Sequence, residues 1–556
     1  MEHPLTAEAA PASGTVLRSG RFLLLAIFLA GAGTLGVEMI ASRLLAPYFG
    51  TSQPIWAVVI GLTLIYLAVG YHLGGRLADR RPDERLLYRL IVAAGLLTAL
   101  IPPLARPILG LAQGAVAQLA VSGFLGALFG VLLLFAAPVT LMAMVSPFAV
   151  RLQVHRSGLA HAGSAAGTIS ALSTAGSILG TFLTALYLIP TIGTAATTYL
   201  YAALLVALGV LGLRDWRWLL ALAAVAALAA YTFGARGVIK SADCSGCTLI
   251  HEQESGTNYI QVARREHPAY GEQIVLMLNE GLAVHSIYNT RYERTGDPLD
   301  TTTGGGPWDY FAVAPYFVAG RSPEDIRSLA MLGSAAGTVP AQFLALYGPD
   351  TRIDAVEIDP AIVALGRRYF GVRDAEVGPE YPNYRVHAED ARFWLAARAS
   401  DATYDVIGMD AYHQPYIPFH LTTVEFFQLV RDRLTPDGVA VVNAGVGPDG
   451  DTRLGDTIAV TMSRVFPQVY VIDTPRAGNQ IIVGVRREDG DGLTDFVRNY
   501  SAIRDPALRA VMETVVARRF DPQEAARRGV ALEPFTDDHA PVEALIDSLI
   551  FKAVLP

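Results

Sequence analysis

The chain has 556 residues, 52% of them hydrophobic and only 17% charged, with mean hydropathy +0.36. That is too long for one ordinary domain and too apolar for a purely soluble protein, so membrane spans are sought first. Residues 1–240 carry 15 Lys and Arg against 7 Asp and Glu, and the rest of the chain carries 28 against 44, an acidic balance that argues against nucleic acid as a partner.

The first 20 residues are polar and rich in Ala and Pro, and read as a disordered tail. Apolar stretches follow at 22–42, 55–75, 87–104, 121–145, 164–189, 193–213 and the Ala-rich 217–234. Each is close to the ~20 residues a helix needs to cross a bilayer. The less apolar stretch 105–120 reads as an interfacial or re-entrant piece, giving a helical membrane domain over 21–236. No cleavable signal peptide is evident, since the first apolar stretch is long and lacks a small-residue cleavage pattern. Basic residues before the first span (Arg18, Arg21) and after the second (Arg76, Arg80, Arg81, Arg85, Arg89) put the N-terminus and the even-numbered loops in the cytoplasm. The expected location is the plasma (inner) membrane, with many passes. Seven full spans would carry the C-terminal half to the far side. Glu38 lies inside the first apolar stretch, where a carboxylate marks either function or an internal pair with Arg43.

Two cysteines, Cys244 and Cys247, stand in the linker after the last span. They are too few for a thiolate metal site and read as a local disulfide or an incidental pair, and no metal is expected. From Thr248 the pattern changes. Leu249–Arg264, Gln273–Leu278 and Leu282–Tyr288 alternate like strands and predict a small β-rich subdomain over 248–300. A Rossmann-like domain is expected over 301–556, opening with a helical pattern at Trp308–Val318. Strands are predicted at Ser328–Leu332, Ile353–Val356, Tyr384–His387, Asp405–Met409, Gly438–Asn443, Val469–Asp473 and Gln480–Val485, with helices at Ala361–Tyr369 and Thr423–Leu434 among them. Alternating short apolar strands and helices imply a doubly wound α/β domain with a parallel sheet covered on both faces.

Ligands of such folds bind at the C-terminal ends of the strands. Gly333 and Gly337 bracket a tight strand-to-helix turn that lets a ligand approach the backbone. Glu357, 24 residues after Gly333 on the next strand tip, suits the hydroxyls of a ribose. Asp390, followed by Ala391, ends the third strand, where an acid can accept from an adenine amino group or cap a helix. Asp410 ends the fourth strand and faces the expected reaction centre. Three acids on three successive tips read as a nucleoside site rather than as three unrelated caps.

Two resemblances follow from particular residues. The run Gly74–Arg81 (GGRLADRR) resembles a cytoplasmic loop of major-facilitator transporters, although seven spans are about half that family's number. Ala355–Phe370 (AVEIDPAIVALGRRYF), His387–Trp394 (HAEDARFW), Tyr404–Asp410 (YDVIGMD) and Leu434–Asn443 (LTPDGVAVVN) resemble the spermidine synthase (polyamine aminopropyltransferase) family. Leu278–Gly281 (LNEG) fits the same family's N-terminal part. Asp410–Leu421 (DAYHQPYIPFHL) and Thr536–Glu543 (TDDHAPVE) are similar to its fused membrane form.

The resemblance implies aminopropyl transfer from decarboxylated S-adenosylmethionine, a cosubstrate, to a small-molecule amine. Asp410 and Tyr310 would be catalytic, Glu357 would bind ribose and Asp390 adenine, in an enzyme that contacts a lipid bilayer and forms a homo-oligomer. The family's glycine turn carries an Asp where Ala336 stands here, and a second family Asp is His413 here. His413 and Tyr416, with His420 nearby, are then candidates to contact a different amine. A methyltransferase using intact S-adenosylmethionine, and a non-catalytic membrane sensor with a degenerate nucleoside pocket, are the competing readings.

Overall fold

A computed structural model describes residues 13–49, 53–119, 123–158, 161–234, 246–279, 283–397, 399, 401–412, 417–447, 450–475 and 478–552. The chain divides into two compact units, 1–116 with 123–241 and 117–122 with 242–556.

The first unit is helical. Seven of its described helical stretches are long and apolar enough to cross a membrane: Gly20–Phe49, Ile55–Arg80, Glu84–Ala112, Phe124–Arg156, Ala162–Ile192, Thr194–Leu213 and Trp216–Gly234. The expected tail over 1–20 is shortened, because helix begins at Ser13. The expected interfacial piece at 105–120 is instead the end of one long helix, Glu84–Leu119, which runs on through Pro102, Pro103 and Pro107. Prolines spaced this way cost backbone hydrogen bonds, yet each ring keeps its φ in the helical range, so they need not end the helix. Glycine sets the closest approach in this unit. A Cβ at Gly176 would lie 2.1 Å from the Phe28 carbonyl oxygen, and one at Gly180 2.2 Å from that of Ala32. Small residues thus let the helix Ala162–Leu183 lie directly on the first helix. Large apolar side chains such as Leu64, Phe182 and Leu186 are exposed, and Glu38 sits half-buried.

The second unit opens with a four-stranded antiparallel sheet of β1 (Thr248–Glu254), β2 (Tyr259–His267), β3 (Gly271–Leu278) and β4 (Val284–Asn289). The single run expected over Leu249–Arg264 is two strands, turned at Ser255–Asn258, where the Ser255 backbone N–H donates to the Asn258 carbonyl at 2.8 Å. Cys247, just before β1, is held in a disulfide; Cys244, the chain's other cysteine, lies outside the described residues.

The larger sheet has eight strands: β5 (Ser328–Leu332), β6 (Arg352–Val356), β7 (Tyr384–His387), β8 (Tyr404–Met409), β9 (Leu434–Gly445), β10 (Gln468–Asp473), β11 (Asn479–Val485) and β12 (Val516–Arg519). Their spatial order is β12-β10-β11-β9-β8-β5-β6-β7. Strands β5 to β9 pair in parallel, as the strand–helix alternation implies. The parallel sheet expected throughout is corrected at its far end: β10, β11 and β12 pair antiparallel. Only five residues separate β10 from β11. That is room for a hairpin and far too little for the crossover a parallel pair needs. Both faces are covered by apolar cores, one around Leu332, Phe426 and Ile482, the other around Phe311, Phe343 and Tyr470. The chain runs outward from β5 to β6 and β7 on one side, then returns to β8 and β9 on the other. A crevice at this switch point is where the fold binds ligands.

Candidate active site

The ladder itself assembles the site. Backbone N–H groups at the strand tips continue the pairing, Asp410 to Leu332, Gly333 to Val356 and Glu357 to His387, each at 2.9 Å. The tips of β8, β5, β6 and β7 therefore stand side by side. Between them is a cavity of about 130 Å³ lined by Gly333, Glu357, Asp390, Ala391 and Asp410 among others. Five of the residues singled out in the sequence thus share one wall.

Each acid is held differently. Glu357 is buried and accepts from the backbone N–H of Ala335 at 2.9 Å and of Asp359 at 3.0 Å. Burial outweighs those donors and pushes its carboxyl up to about 7. Asp390 both lines the cavity and caps a helix: one oxygen accepts from Phe393 N–H at 2.9 Å, and the other meets His420 Nε2 at 3.2 Å. Asp410 is gripped by two side-chain donors, Trp308 Nε1–H to Oδ2 at 2.7 Å and Asn443 Nδ2–H to Oδ1 at 2.8 Å. Asn479 in turn donates to Asn443 at 2.9 Å, fixing which end of that amide faces the acid. Desolvation still pushes Asp410 up to about 6, against both donors.

Gly333 has φ +80, and a Cβ there would lie 2.5 Å from the Asp410 carbonyl oxygen and the Ala411 Cα. Glycine at this turn is what allows the tips of β5 and β8 to close up. Two sequence expectations are corrected, those for Gly337 and Tyr310. Gly337 does not line this cavity; it has φ +94 at the start of the helix Thr338–Tyr347 and turns the chain away from the strand tips. Ala336 is buried in the core beneath the β-subdomain, and its neighbour Ala335 lines the cavity. Tyr310 is fully buried, with its hydroxyl 3.0 Å from Thr514 Oγ1, and does not line the cavity. Residues two apart on a helix point in different directions, and it is Trp308 that reaches Asp410. His413 and Tyr416 lie outside the described residues.

Several residues were not singled out in the sequence. His285, on β4, lines the cavity with its Nε2 buried and unpartnered among the described residues, and burial lowers its pKa to about 4, which leaves it neutral. Asp359 is fully buried and accepts from Thr257 Oγ1 at 2.7 Å and Asn258 Nδ2 at 2.9 Å, tying the β1–β2 turn to the strand tip. Asp-Pro before an apolar run marks it as a helix cap, and Asp359 does accept from Ala361 N–H at 3.0 Å. Asp537 receives Arg392 at 2.7 and 2.6 Å and Thr423 Oγ1 at 2.7 Å, pinning the segment after the cavity's last loop. The Arg392 guanidinium holds the Asp537 carboxyl below its usual value.

Residues 330–489 match the model of the spermine/spermidine synthase domain. A probable polyamine aminopropyl transferase of Bifidobacterium longum is 30% identical over 318 residues, which is 54% of this chain and 64% of that protein. The polyamine aminopropyltransferase of Vibrio vulnificus is 32% identical over 242 residues, 43% of this chain and 72% of that protein. The chain belongs to the spermidine synthase family. Polyamine aminopropyltransferase 1 of Streptomyces coelicolor is 26% identical over 486 residues, 83% of each chain, so that likeness extends into the helical unit. Within this spermidine synthase family member, Glu357, Asp390 and Asp410 stand together at the strand tips. The turn that carries Ala336 presents a methyl group to the core and no carboxylate to the cavity.

Proposed function

We propose that this protein transfers an aminopropyl group from decarboxylated S-adenosylmethionine to a polyamine or related amine, in an enzyme anchored in the plasma (inner) membrane by its helical unit. The observation that carries the reading is the shared cavity of Glu357, Asp390 and Asp410, with Asp410 held at both oxygens by fixed donors. Glu357 accepts the ribose hydroxyls and Asp390 the adenine amino group. The acceptor nitrogen, neutral, attacks the aminopropyl carbon bonded to the sulfonium. The new N–C bond forms as the C–S bond breaks, its electron pair returns to sulfur, and methylthioadenosine leaves. The proton shed by the nitrogen passes to the Asp410 carboxylate. The sulfonium is already a good leaving group, so the protein's contribution is alignment and a proton acceptor. Anchoring is supported by the seven long apolar helices and by the apolar side chains they expose.

The test is calorimetric binding of decarboxylated S-adenosylmethionine, intact S-adenosylmethionine and methylthioadenosine to the full-length chain. The decarboxylated donor is expected to bind tightest. Glu357→Ala is expected to weaken all three by ~10-fold or more, the scale of losing hydrogen bonds to a charged group. Tighter binding of intact S-adenosylmethionine would point to methyl transfer instead, and no binding of any of the three would remove the enzyme readings.

A pH dependence follows from the two raised carboxyls. Both act as acceptors only when ionised, so kcat/KM should fall as pH drops through about 7 and fall more steeply below about 6. Steady-state rates between pH 5 and 9 read this directly. A flat profile through that range would rule out a titrating acid acceptor.

A further inference from the structure

A second cavity, of about 490 Å³, lies among the end of β4, the helix Thr338–Tyr347 and the chain from Phe370 to β7. It shares no lining residue with the nucleoside cavity. Four tyrosines form much of its wall: Tyr288, Tyr292, Tyr381 and Tyr384. Tyr384 is 2% exposed, and its hydroxyl is buried with no hydrogen-bond partner among the described residues. A buried hydroxyl left unpaired costs stability, and a ligand that satisfies it recovers that cost. Gly371, at φ +68, makes room for the wall: a Cβ there would lie 2.7 Å from the Tyr288 ring and hydroxyl.

The charges indicate what the cavity accepts. Glu293 and Glu380 line it and are exposed, with Arg373 the single basic lining residue among the described residues. Tyr288 donates to Glu293 at 2.6 Å, which orients that carboxylate. Exposed carboxylates, four tyrosines in the wall and an unpaired phenol oxygen suit a cation with several N–H groups joined by methylenes. The volume lies within the ~300–1,000 Å³ usual for small-molecule sites.

We propose that this cavity is a binding site for a linear polyamine, separate from the site of transfer. One ammonium group meets Glu293 and Glu380, the methylene chain lies on the tyrosine rings, and a second ammonium donates to the Tyr384 hydroxyl. Two elements reach both cavities. β4 carries His285 to the first and Tyr288 to the second, and the turn from Gly333 to Gly337 has one end in each. The proposal goes beyond the transfer reading and stands without it.

The test uses the full-length chain carrying Asp410→Asn and saturated with methylthioadenosine, titrated with spermidine by calorimetry. Spermidine is expected to bind. Adding Glu293→Gln with Glu380→Gln should raise its Kd ~10-fold or more, and Tyr384→Phe ~3-fold, on the scale of charge-assisted and neutral hydrogen bonds. The affinity for methylthioadenosine should stay unchanged in these variants. No spermidine binding, equal affinity in the double carboxylate variant, or displacement of spermidine by orthophosphate at Arg373 would each overturn the proposal. Spermidine binding without methylthioadenosine binding would keep this site and remove the transfer reading.

Discussion

Asp410→Asn is expected to lower turnover by ~10²–10⁴-fold, the range for removing a positioned proton acceptor, while methylthioadenosine still binds. The loss has two physical parts. An amide cannot take the proton that the attacking nitrogen sheds. It also fits its surroundings poorly, because Trp308 and Asn443 donate to opposite oxygens of the carboxylate. The amide has one acceptor oxygen, so its NH₂ must face one of those donors. Leaving a buried donor unpaired in this way costs ~1–3 kcal/mol, so a modest fall in Tm should accompany the kinetic loss. The acid limb near 6 should vanish from the pH profile in the same variant. Single-turnover rates with bound donor separate the outcomes. Near-normal turnover in Asp410→Asn would remove the proton-acceptor role and leave Asp410 as a positioning group.

Gly333→Ala is the second large effect, and it should act on fold and binding together. The backbone at Gly333 has φ +80, a conformation that costs an L-residue ~1–2 kcal/mol. The added methyl would also lie 2.5 Å from the Asp410 carbonyl oxygen and the Ala411 Cα. Those atoms belong to the neighbouring strand tip, so relief requires the β8 tip to move, and overpacking of this kind costs a further ~1–3 kcal/mol. Moving that tip displaces Asp410 from Trp308 and Asn443. The expected result is a Tm lowered on the order of 5 °C or more, with methylthioadenosine binding lost. Gly337→Ala is the contrasting variant. Its Cβ would meet the Val372 side chain at 2.8 Å, at a place that does not line the nucleoside cavity. It should lower stability while leaving methylthioadenosine binding in place. Equal loss of binding in both variants would show that the turn acts as one rigid unit.

Much of the domain was legible in the chain. Ser328–Leu332 is a short apolar run and Tyr384–His387 a short mixed one, each bounded by turn residues, and both are strands over the spans expected. Strand tips are also where the acids Glu357, Asp390 and Asp410 were sought, because parallel α/β sheets leave their ligand crevice there. Two places were misread, each for its own reason. Ser255-Gly256-Thr257-Asn258 is a turn signal inside a run that alternates on either side, so one strand was expected where two form. The lower apolarity of 105–120 suggested an interfacial piece, yet that stretch continues the helix Glu84–Leu119.

What the sequence by itself determined is the class of each half: apolar stretches of bilayer length, then a strand–helix alternation with acids at successive tips. These follow from local physics, since chain periodicity, turn chemistry and hydropathy need no partner to be read. Only the tertiary structure decided which side chains serve those acids. Trp308 and Asp410 are 102 residues apart, and Asn443 is 33 beyond Asp410. Their meeting depends on strand order and register, as does the choice of Trp308 over Tyr310. The unpaired His285 nitrogen and the unpaired Tyr384 hydroxyl were beyond reach for the same reason. A polar atom is left without a partner only by the packing of distant elements around it.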